Sequence, residues 1–305
     1  MEDIKLNKQE IKKLSIIMKT TENCNLDCVY CYEGEKCKLN MGYGVLDESI
    51  NKISGYMKNN FEIPGINFIW HGGEPLLLPI GFYKKALVLQ DKYEDLHYKN
   101  SIQSNLTLFN KEWLDFFKEN DFTVGTSLDG PKDMNNKSRG DSFDRIFSSL
   151  KLAKKKNYNI SAICVLGKHN SYDVNSLYEF FKKEQIDFEV NMTTSDGNAQ
   201  KNNDIVITPE EYGKAMVDIF DLWLYDVRKP VLNISNFLRF SAGILDIGVN
   251  ECIHTGNCSG QFYSIDPIGD VYPCGRFNGK ETFEFKLGNI IEDNFEDIVN
   301  SDVVK

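Results

Sequence analysis

The chain has 305 residues, of which 41% are hydrophobic, so it can bury a sizeable core. Its 35 Lys and Arg against 45 Asp and Glu give a net charge of −10, which disfavours nucleic-acid partners, because phosphate binding depends on basic side chains. No apolar run approaches the ~20 residues that cross a bilayer, and the N-terminal sequence MEDIKLNKQE lacks the apolar segment of a signal peptide. We therefore expect a cytoplasmic protein with no membrane partner, whose eight cysteines stay reduced and serve metal binding or catalysis.

Strand-like and helix-like segments alternate from the N-terminus onwards. The predicted strands are KLSIIMKTT, INFIWHG, NSIQSNLTL, FTVGTSLDG, ISAICVLG and FEVNM. The amphipathic segments between them are GVLDESINKISGYMKNN, FYKKALVLQDKY, KEWLDFFKEN, SFDRIFSSLKLAKKK and DVNSLYEFFKKEQ. Strand-then-helix repeats of this kind predict an α/β fold with a parallel sheet, here a partial (β/α)6 TIM-type barrel.

A further helix and a change of pattern follow. TPEEYGKAMVDIFDLWLYD has the signals of a helix start, with Thr208 as N-cap, Pro209 at the first position and Glu211 closing a capping box. The Asn-rich SDGNAQKNND before it predicts a solvated loop. Beyond residue 230 the alternation stops, and CSGQFYSIDPIGDVYPCGRF predicts a β-hairpin around DPIGD. We therefore expect the following parts: a barrel at 1–207, a connecting helix at 208–229 and a small cysteine-bearing α+β domain at 230–305.

Three cysteines lie in one short loop directly after the first predicted strand. Cys24, Cys28 and Cys31 have the spacing C-x3-C-x2-C, and the loop contains no histidine. A closed zinc site needs four ligands. A [4Fe–4S] cluster is normally held by four cysteines, so a cluster held by three keeps one iron with an open coordination site. That open site could bind a small molecule.

This spacing, with Tyr30 directly before the third cysteine, resembles the radical S-adenosylmethionine (SAM) superfamily. The resemblance implies a [4Fe–4S] cluster whose open iron binds the amino and carboxylate groups of SAM. It also implies reductive cleavage of SAM to a 5′-deoxyadenosyl radical, which removes a hydrogen atom from the substrate. An electron donor of the flavodoxin or ferredoxin type is then an expected partner.

Further matches to this superfamily follow the later strands, where a βα barrel carries its functional groups. They are HGGEP, SNLT, SLDGP, the arginine of NKSRGDSFDRI and the end of ISAICVLG, although SNLT lacks the glycine of the family's Thr-Asn-Gly run. The resemblance implies contacts to the ammonium, the ribose, the carboxylate and the adenine of SAM. The implied SAM-binding residues are Tyr30, Gly72, Gly73, Glu74, Asn105, Ser127, Asp129, Arg139 and Leu166.

A second set of cysteines, Cys252, Cys258 and Cys274, has the spacing C-x5-C-x15-C. It resembles the SPASM and shorter twitch extensions of peptide-modifying radical SAM enzymes, which implies an auxiliary [4Fe–4S] cluster. A full SPASM domain continues with further cysteines, whereas none follows Cys274 here. Either three cysteines hold the auxiliary cluster and leave one iron open, or the sequence is a truncated form of a SPASM protein. His254 is a candidate fourth ligand, and a [2Fe–2S] or zinc site is an alternative.

The resemblance implies a peptide or protein substrate. The main prediction is ribosomal peptide maturation by thioether formation, carbon–carbon crosslinking or epimerisation. Because the chain begins almost at the first predicted strand, we expect a separate leader-peptide recognition protein. The alternatives are oxidation of Cys or Ser to formylglycine, as in anaerobic sulfatase maturases, and dehydrogenation of a polyol or aminosugar.

The catalytic base is not assigned from the sequence. A sulfatase maturase is expected to carry an aspartate after the third auxiliary cysteine, whereas Gly275 follows Cys274. The predicted hairpin carries Tyr263, Asp266, Asp270 and Arg276 near the second cysteine set, but acids in turns and tyrosines in strands usually have structural roles. A non-enzymatic iron–sulfur or zinc carrier is the alternative from a different class, and it leaves HGGEP and SLDGP without a role.

Overall fold

The computed structural model describes residues 9–34, 36–229, 231–245, 260, 262–277 and 280–301. In chain order, its first elements are β1 (Gln9–Thr21), α1 (Tyr43–Asn60), β2 (Phe61–Gly72), α2 (Ile80–Gln90), β3 (His97–Ser104), α3 (Lys111–Glu119), β4 (Thr123–Ser127), α4 (Lys132–Arg139), α5 (Phe143–Lys155) and β5 (Ile160–Leu166). They are followed by α6 (Val174–Glu184), β6 (Phe188–Met192), α7 (Asn198–Lys201), α8 (Pro209–Leu224), α9 (Ser235–Ile244), β7 (Phe262–Ile265), β8 (Asp270–Tyr272), β9 (Gly288–Asn289) and α10 (Phe295–Val299).

The chain divides into two compact units. The first unit comprises residues 1–23, 38–102 and 258–305. Its strands follow the order β3-β2-β1-β7-β8-β9, with β3 belonging to it through Ile102. The pairs β3–β2, β2–β1 and β1–β7 are parallel, and β7–β8 and β8–β9 are antiparallel. The helices α1, α2 and α10 belong to this unit.

The second unit comprises residues 24–37 and 103–257. It contains the parallel strands β6, β5 and β4 in that order, together with the helices α3 to α9. The expected α/β fold with a predominantly parallel sheet is therefore confirmed. The compact units are built from separate stretches of the chain and do not test the expected division at residues 207 and 229, which stays a prediction.

Local signals account for several elements. The capping box of α8 forms as predicted: the Thr208 side chain accepts the Glu211 N–H, and the Glu211 carboxylate accepts the Thr208 N–H. The predicted hairpin also forms, and Gly269 in its turn has φ of 93°, a value that favours glycine. The hairpin does not stand apart from the parallel strands, because β7 pairs with β1, with Met18 opposite Ile265.

The α4 helix was not predicted. It is short and almost entirely polar, so it lacks the apolar stripe that identifies a helix in a sequence. Its buried side chains include Asn135 and Ser138, which bind the nearby Asp129, and Arg139, which binds Tyr30 from a distant part of the chain. Within the described residues, no helix combines the length and apolar character needed to span a bilayer.

Candidate active site at the carboxyl ends of the strands

The backbone of the cysteine loop in the second unit is fixed by α7 and its preceding residue. The Asn198 N–H donates to the Cys31 carbonyl at 2.9 Å, and Asn198 Nδ2 donates to the Cys28 carbonyl at 3.0 Å. A Cβ on Gly197 would lie 2.4 Å from the Cys31 carbonyl oxygen, so only glycine allows this approach. Most of SDGNAQKNND is exposed, as the prediction of a solvated loop implies, but the segment forms α7, and its Gly197 and Asn198 make tertiary contacts that composition does not reveal.

The three cysteines of this loop are free thiols. Cys28 is buried, and Cys24 and Cys31 are half-buried. Burial raises the pKa of the Cys31 thiol, with smaller opposing effects from Lys36 and a backbone hydrogen bond. Ligation by a metal would release this proton, since the thiolate is the ligand.

Next to the cysteines, a buried polar network connects the loop to the end of β4 and to α4. The Tyr30 hydroxyl donates to Asp129 Oδ2 at 2.8 Å and accepts from Arg139 Nη1 at 2.8 Å. Ser138 Oγ donates to the same Asp129 oxygen at 2.6 Å, and the Val165 N–H donates to Asp129 Oδ1 at 3.0 Å. The sequence-predicted residues Tyr30, Asp129 and Arg139 are thus brought together.

The electrostatics of this network favour an ionised Asp129. Burial raises the pKa of its carboxyl group, but the nearby His169, the Arg139 charge and the Ser138 hydrogen bond outweigh burial, so the pKa lies below its ordinary value. Burial also holds the pKa of the Tyr30 phenol well above its ordinary value. Because Asp129 is fully buried and its oxygens accept several protein donors, its predicted contact with ribose stays a prediction.

Two side chains in this region retain buried nitrogen atoms without hydrogen-bond partners among the described residues. They are Arg139 at Nε and His169 at both ring nitrogens. The two residues are only 6% and 7% exposed, so water does not easily take the place of a partner. His169 was not singled out in the sequence; its ring lies 5.8 Å from that of Tyr30, and its Nε2 lies 3.6 Å from Asp129 Oδ2. An orphaned guanidinium N–H fits a bound anionic group such as a carboxylate.

The other predicted residues of the second unit have different surroundings. Asn105 Nδ2 donates to Asn25 Oδ1 at 2.9 Å and lies 3.9 Å from Cys24 Sγ, so it faces the cysteine loop. Ser127 is half-buried, and its hydroxyl accepts from Gln103 Nε2 at 3.2 Å. Leu166 is fully buried at the end of β5.

The HGGEP turn belongs to the first unit, where its backbone lies against Thr21 and Asn23. The Gly73 N–H donates to the Thr21 carbonyl at 2.7 Å, and the Glu74 N–H donates to the Asn23 carbonyl at 2.8 Å. A Cβ on Gly72 or Gly73 would lie 2.3 or 2.2 Å from these carbonyl oxygens. The glycines are therefore required for packing beside the residues that precede Cys24. Glu74 is fully buried and caps the following turn through the Leu76 N–H.

Only part of the second cysteine set can be placed. Cys252, Cys258 and His254 lie outside the described residues. Cys274 is a half-buried free thiol at the end of the hairpin. Gly275, in the position where a sulfatase maturase is expected to carry its base, faces β1, since a Cβ there would lie 3.0 Å from Ile17 Cδ1.

The donor set of the cysteine loop fits an iron–sulfur cluster. Within the described ranges, no group of three or more His, Cys, Asp or Glu side chains is arranged to hold a single metal ion. In a cubane, each thiolate binds a different iron, so its cysteines stand farther apart than the ligands of one zinc ion. Three free thiols on one fixed loop provide the cysteine ligands that such a cluster needs. The orphaned Arg139 Nε provides a further place for an anionic group of the cosubstrate.

A cysteine loop directly after the first of a series of parallel strands, with a buried charged network beside it, defines a cofactor-dependent α/β enzyme. A family model described as the radical SAM superfamily matches residues 18–181, and a second, SPASM, described as an iron–sulfur cluster-binding domain, matches residues 257–305. The chain belongs to the radical SAM superfamily. The first region implies a [4Fe–4S] cluster with SAM, and the SPASM region implies auxiliary iron–sulfur chemistry.

Individual relatives match nearly the whole chain. A cysteine-type anaerobic sulfatase-maturating enzyme of Clostridium novyi is 31% identical, over 97% of this chain and 81% of its own length. A serine-type enzyme of Bacteroides thetaiotaomicron is 32% identical, over 92% and 72%. The solved structure of native anSMEcpe with bound AdoMet and Kp18Cys peptide is similar, with a TM-score of 0.84, 27% identity and coverage of 96% and 82%. Streptococcus suis SuiB bound to precursor peptide SuiA shares the fold, with a TM-score of 0.69 at 18% identity, over 95% and 65%.

Proposed function

We propose that this radical SAM enzyme modifies a side chain of a peptide or protein by hydrogen abstraction. The observation that carries the proposal is the similarity to sulfatase-maturating enzymes over 97% of the chain, which spans both the radical SAM and the SPASM regions. Similarity confined to the radical SAM region would leave the substrate class open.

In this proposal, Cys24, Cys28 and Cys31 hold the SAM-binding cluster. When bound, the cluster and SAM supply a hydrogen-abstracting 5′-deoxyadenosyl radical. Cys252, Cys258 and Cys274 hold the auxiliary cluster. The residues proposed to bind SAM are Tyr30, Gly72, Gly73, Glu74, Asn105, Ser127, Asp129, Arg139 and Leu166.

The buried network of Tyr30, Asp129 and Arg139 supports the proposed SAM site, because it fixes the orientation of the Arg139 guanidinium. Asp129 accepts the Tyr30 hydroxyl, and Tyr30 in turn accepts one Arg139 N–H, so the guanidinium is oriented before SAM binds. Its buried Nε remains available to a carboxylate. Preorganised donors of this kind lower the cost of fixing a ligand in one orientation.

Two modifications remain candidates. Ribosomal peptide maturation, by thioether formation, crosslinking or epimerisation, is the first. Oxidation of Cys or Ser to formylglycine is the second, and the named relatives favour it. In this chain, Gly275 occupies the position after the third auxiliary cysteine where a sulfatase maturase is expected to carry an aspartate. Formylglycine formation here would therefore need another base.

The proposed partners follow from this chemistry. Reductive SAM cleavage needs a low-potential electron donor, for which we propose a flavodoxin or ferredoxin. A separate recognition protein for a leader peptide belongs to the maturase alternative. A cytoplasmic location suits reduced thiols and iron–sulfur clusters.

The test is SAM cleavage by the anaerobically reconstituted protein, with a peptide library containing Cys or Ser as substrate. We expect about eight irons per chain from two cubanes, formation of 5′-deoxyadenosine, and a mass change in a peptide. Joint replacement of Cys24, Cys28 and Cys31 by Ala should abolish SAM cleavage. Replacement of the exposed Cys37 should leave it unchanged.

Joint replacement of Cys252, Cys258 and Cys274 should leave some SAM cleavage but no peptide product. Normal product formation by that variant would show that the auxiliary cysteines have no catalytic role. Turnover of a polyol or aminosugar, with no peptide modified, would contradict the proposed substrate class. Protein that binds no iron and leaves SAM intact would contradict the enzyme assignment at this site.

A further inference from the structure

Polar side chains collect where three adjacent parallel strands of the first unit end. Lys19 on β1 lies opposite His71 on β2. On the other side of β1, the register pairs Met18 with Ile265, so the next pair along the strands is Lys19 and Asp266. We call Lys19, His71 and Asp266 the strand-end group. His71 directly precedes Gly72, so the group adjoins the HGGEP turn within the same unit.

The strand-end group lies on one face of the sheet. Leu14, Ile16 and Met18 are nearly inaccessible on one face of β1, so Ile17 and Lys19 point to the other. Ile17 is the residue that Gly275 faces. Gly275, where the expected aspartate is absent, therefore lies against the same face of β1 as Lys19. It contacts this face at Ile17, two residues before Lys19.

Burial makes the charged members of the group unusual. Lys19 is 2% exposed and Asp266 is 7% exposed. Charged side chains are rarely buried to this extent without a structural or functional reason. The carboxyl ends of parallel strands are also where α/β enzymes carry their reactive groups.

The two oxygens of Asp266 differ in their surroundings. Oδ1 accepts the Ile268 N–H at 3.0 Å and the Asp270 N–H at 2.9 Å, which fixes the side chain on the hairpin turn. Oδ2 has no hydrogen-bond or ion-pair partner in the part of the chain that the structure describes. One oxygen of the carboxylate thus anchors the side chain, and the other accepts no donor from the described residues and can take up a proton.

We propose that Asp266 is the general base of the reaction and accepts a proton from the substrate on Oδ2. This inference rests on the proposed function. For a substrate with a –CH2–XH group, where X is S or O, the carbon first loses a hydrogen atom. With SAM bound, the 5′-deoxyadenosyl radical would take that hydrogen atom and become 5′-deoxyadenosine. Conversion of C–XH into C=X would then require the loss of one electron, which an auxiliary iron–sulfur cluster could accept, and of the X–H proton, which Asp266 would accept.

The proton affinity of Asp266 suits this role. Burial raises its pKa to about 6, against the opposing effect of its backbone hydrogen bonds and of Lys19. Among the described residues, the charged or titratable groups that interact with it include Lys19 from β1 and Asp270 and Tyr272 from β8. A carboxylate of this pKa is mostly ionised at neutral pH, yet holds a proton better than an ordinary aspartate.

The alternative explanation is that Asp266 only shapes the turn. Asp266→Asn separates the two roles, because the amide oxygen can still accept both backbone N–H groups while the side chain cannot take up a proton. Asp293→Asn is the matched control: this exposed aspartate of the same unit accepts the Asn289 N–H at 2.7 Å in another turn.

The experiment compares peptide product with 5′-deoxyadenosine in the reconstituted full chain, using the peptide that the wild type modifies. For Asp266→Asn we expect iron content and SAM cleavage to be retained and the product-to-deoxyadenosine ratio to fall by at least ~100-fold, as for loss of a general base. Asp293→Asn should keep the wild-type ratio. A wild-type ratio in Asp266→Asn would overturn the inference and leave the proposed function intact, whereas absent SAM cleavage in the wild type would contradict the proposed function itself.

A second measurement does not depend on the variant folding. In the wild type, the product-to-deoxyadenosine ratio should rise with pH through about 6, because only ionised Asp266 accepts a proton. A ratio independent of pH between 5 and 7.5 would contradict the assignment, as would a rise that persists in folded Asp266→Asn.

Discussion

Asp129 and Asp266 are both buried aspartates that follow strands, one in each compact unit, yet their surroundings are opposite. Asp129 is fully buried, and both of its oxygens accept protein donors. Asp266 is nearly as buried, but only one of its oxygens has partners among the described residues. The pKa of Asp129 is lowered, and that of Asp266 is raised to about 6.

The difference shows that burial alone does not decide the role of a carboxylate. Burial raises the pKa of both groups, and the donors around each one determine whether ionisation is restored. A satisfied, ionised group such as Asp129 orients its neighbours. A group such as Asp266, with a raised pKa and one oxygen that accepts no donor from the described residues, can exchange a proton with a ligand.

The largest effect on folding is expected from Asp129→Ala. The substitution leaves the Tyr30 hydroxyl without its acceptor, removes one of the two acceptors of the Ser138 hydroxyl, and removes a negative charge that acts on Arg139. We therefore expect a loss of about 3–5 kcal/mol in the free energy of unfolding. Anaerobic urea titration measures it. Asp144→Ala is the control, because it removes an exposed ion pair with Lys132 and should cost less than about 1 kcal/mol.

The pH dependence of stability tests whether Asp129 is ionised in the folded protein. The pKa of Asp129 is lower in the folded than in the unfolded state. Ionised Asp129 therefore stabilises the folded state above the ordinary carboxyl pKa, and this stabilisation is lost as pH falls through the folded pKa. Asp129→Asn should therefore lose less stability on acidification than the wild type does. Equal acid sensitivity of the two proteins would contradict an ionised Asp129.

A smaller effect of opposite sign is expected from Asp266→Asn. The folded pKa of about 6 exceeds the unfolded value, so ionised Asp266 lowers the stability of the folded state as pH rises through 6. The variant should be more stable than the wild type at pH 8, on the order of 2 kcal/mol. The difference should vanish as the pH falls towards that of an ordinary carboxyl group. A variant less stable than the wild type at pH 8 would mean that the turn needs the carboxylate.

The smallest effect is expected from Tyr30→Phe. Loss of the hydroxyl removes one of the donors to Asp129 and the acceptor of Arg139 Nη1, at a cost of about 1–2 kcal/mol. Tyr225→Phe removes a hydroxyl from a side chain that is 76% exposed and should change stability little. Thermal unfolding of the two variants without reconstitution isolates the network from the cluster. Equal melting temperatures would show that the network contributes nothing to folding.

Sequence and structure agree best where the signals are local. The capping box of α8 and the β7–β8 hairpin were predicted correctly, because N-cap residues and turn residues act within a few positions of one another. The helix α4 and the tertiary contacts of SDGNAQKNND were not predicted. In each segment a polar side chain binds a group far away in the chain, Arg139 binding Tyr30 and Asn198 binding Cys28, and neither segment has a local apolar signature.

The sequence by itself determined the α/β alternation, the three-cysteine loop and the family, since strand and helix periodicity and ligand spacing are properties of neighbouring residues. The tertiary structure decided which charged groups meet. Arg139 joins Tyr30 across 109 positions, and the register of β1 with β7 sets Lys19 beside Asp266. Strand pairing and burial create these encounters, and with them the pKa values and free donors or acceptors on which the proposed chemistry depends.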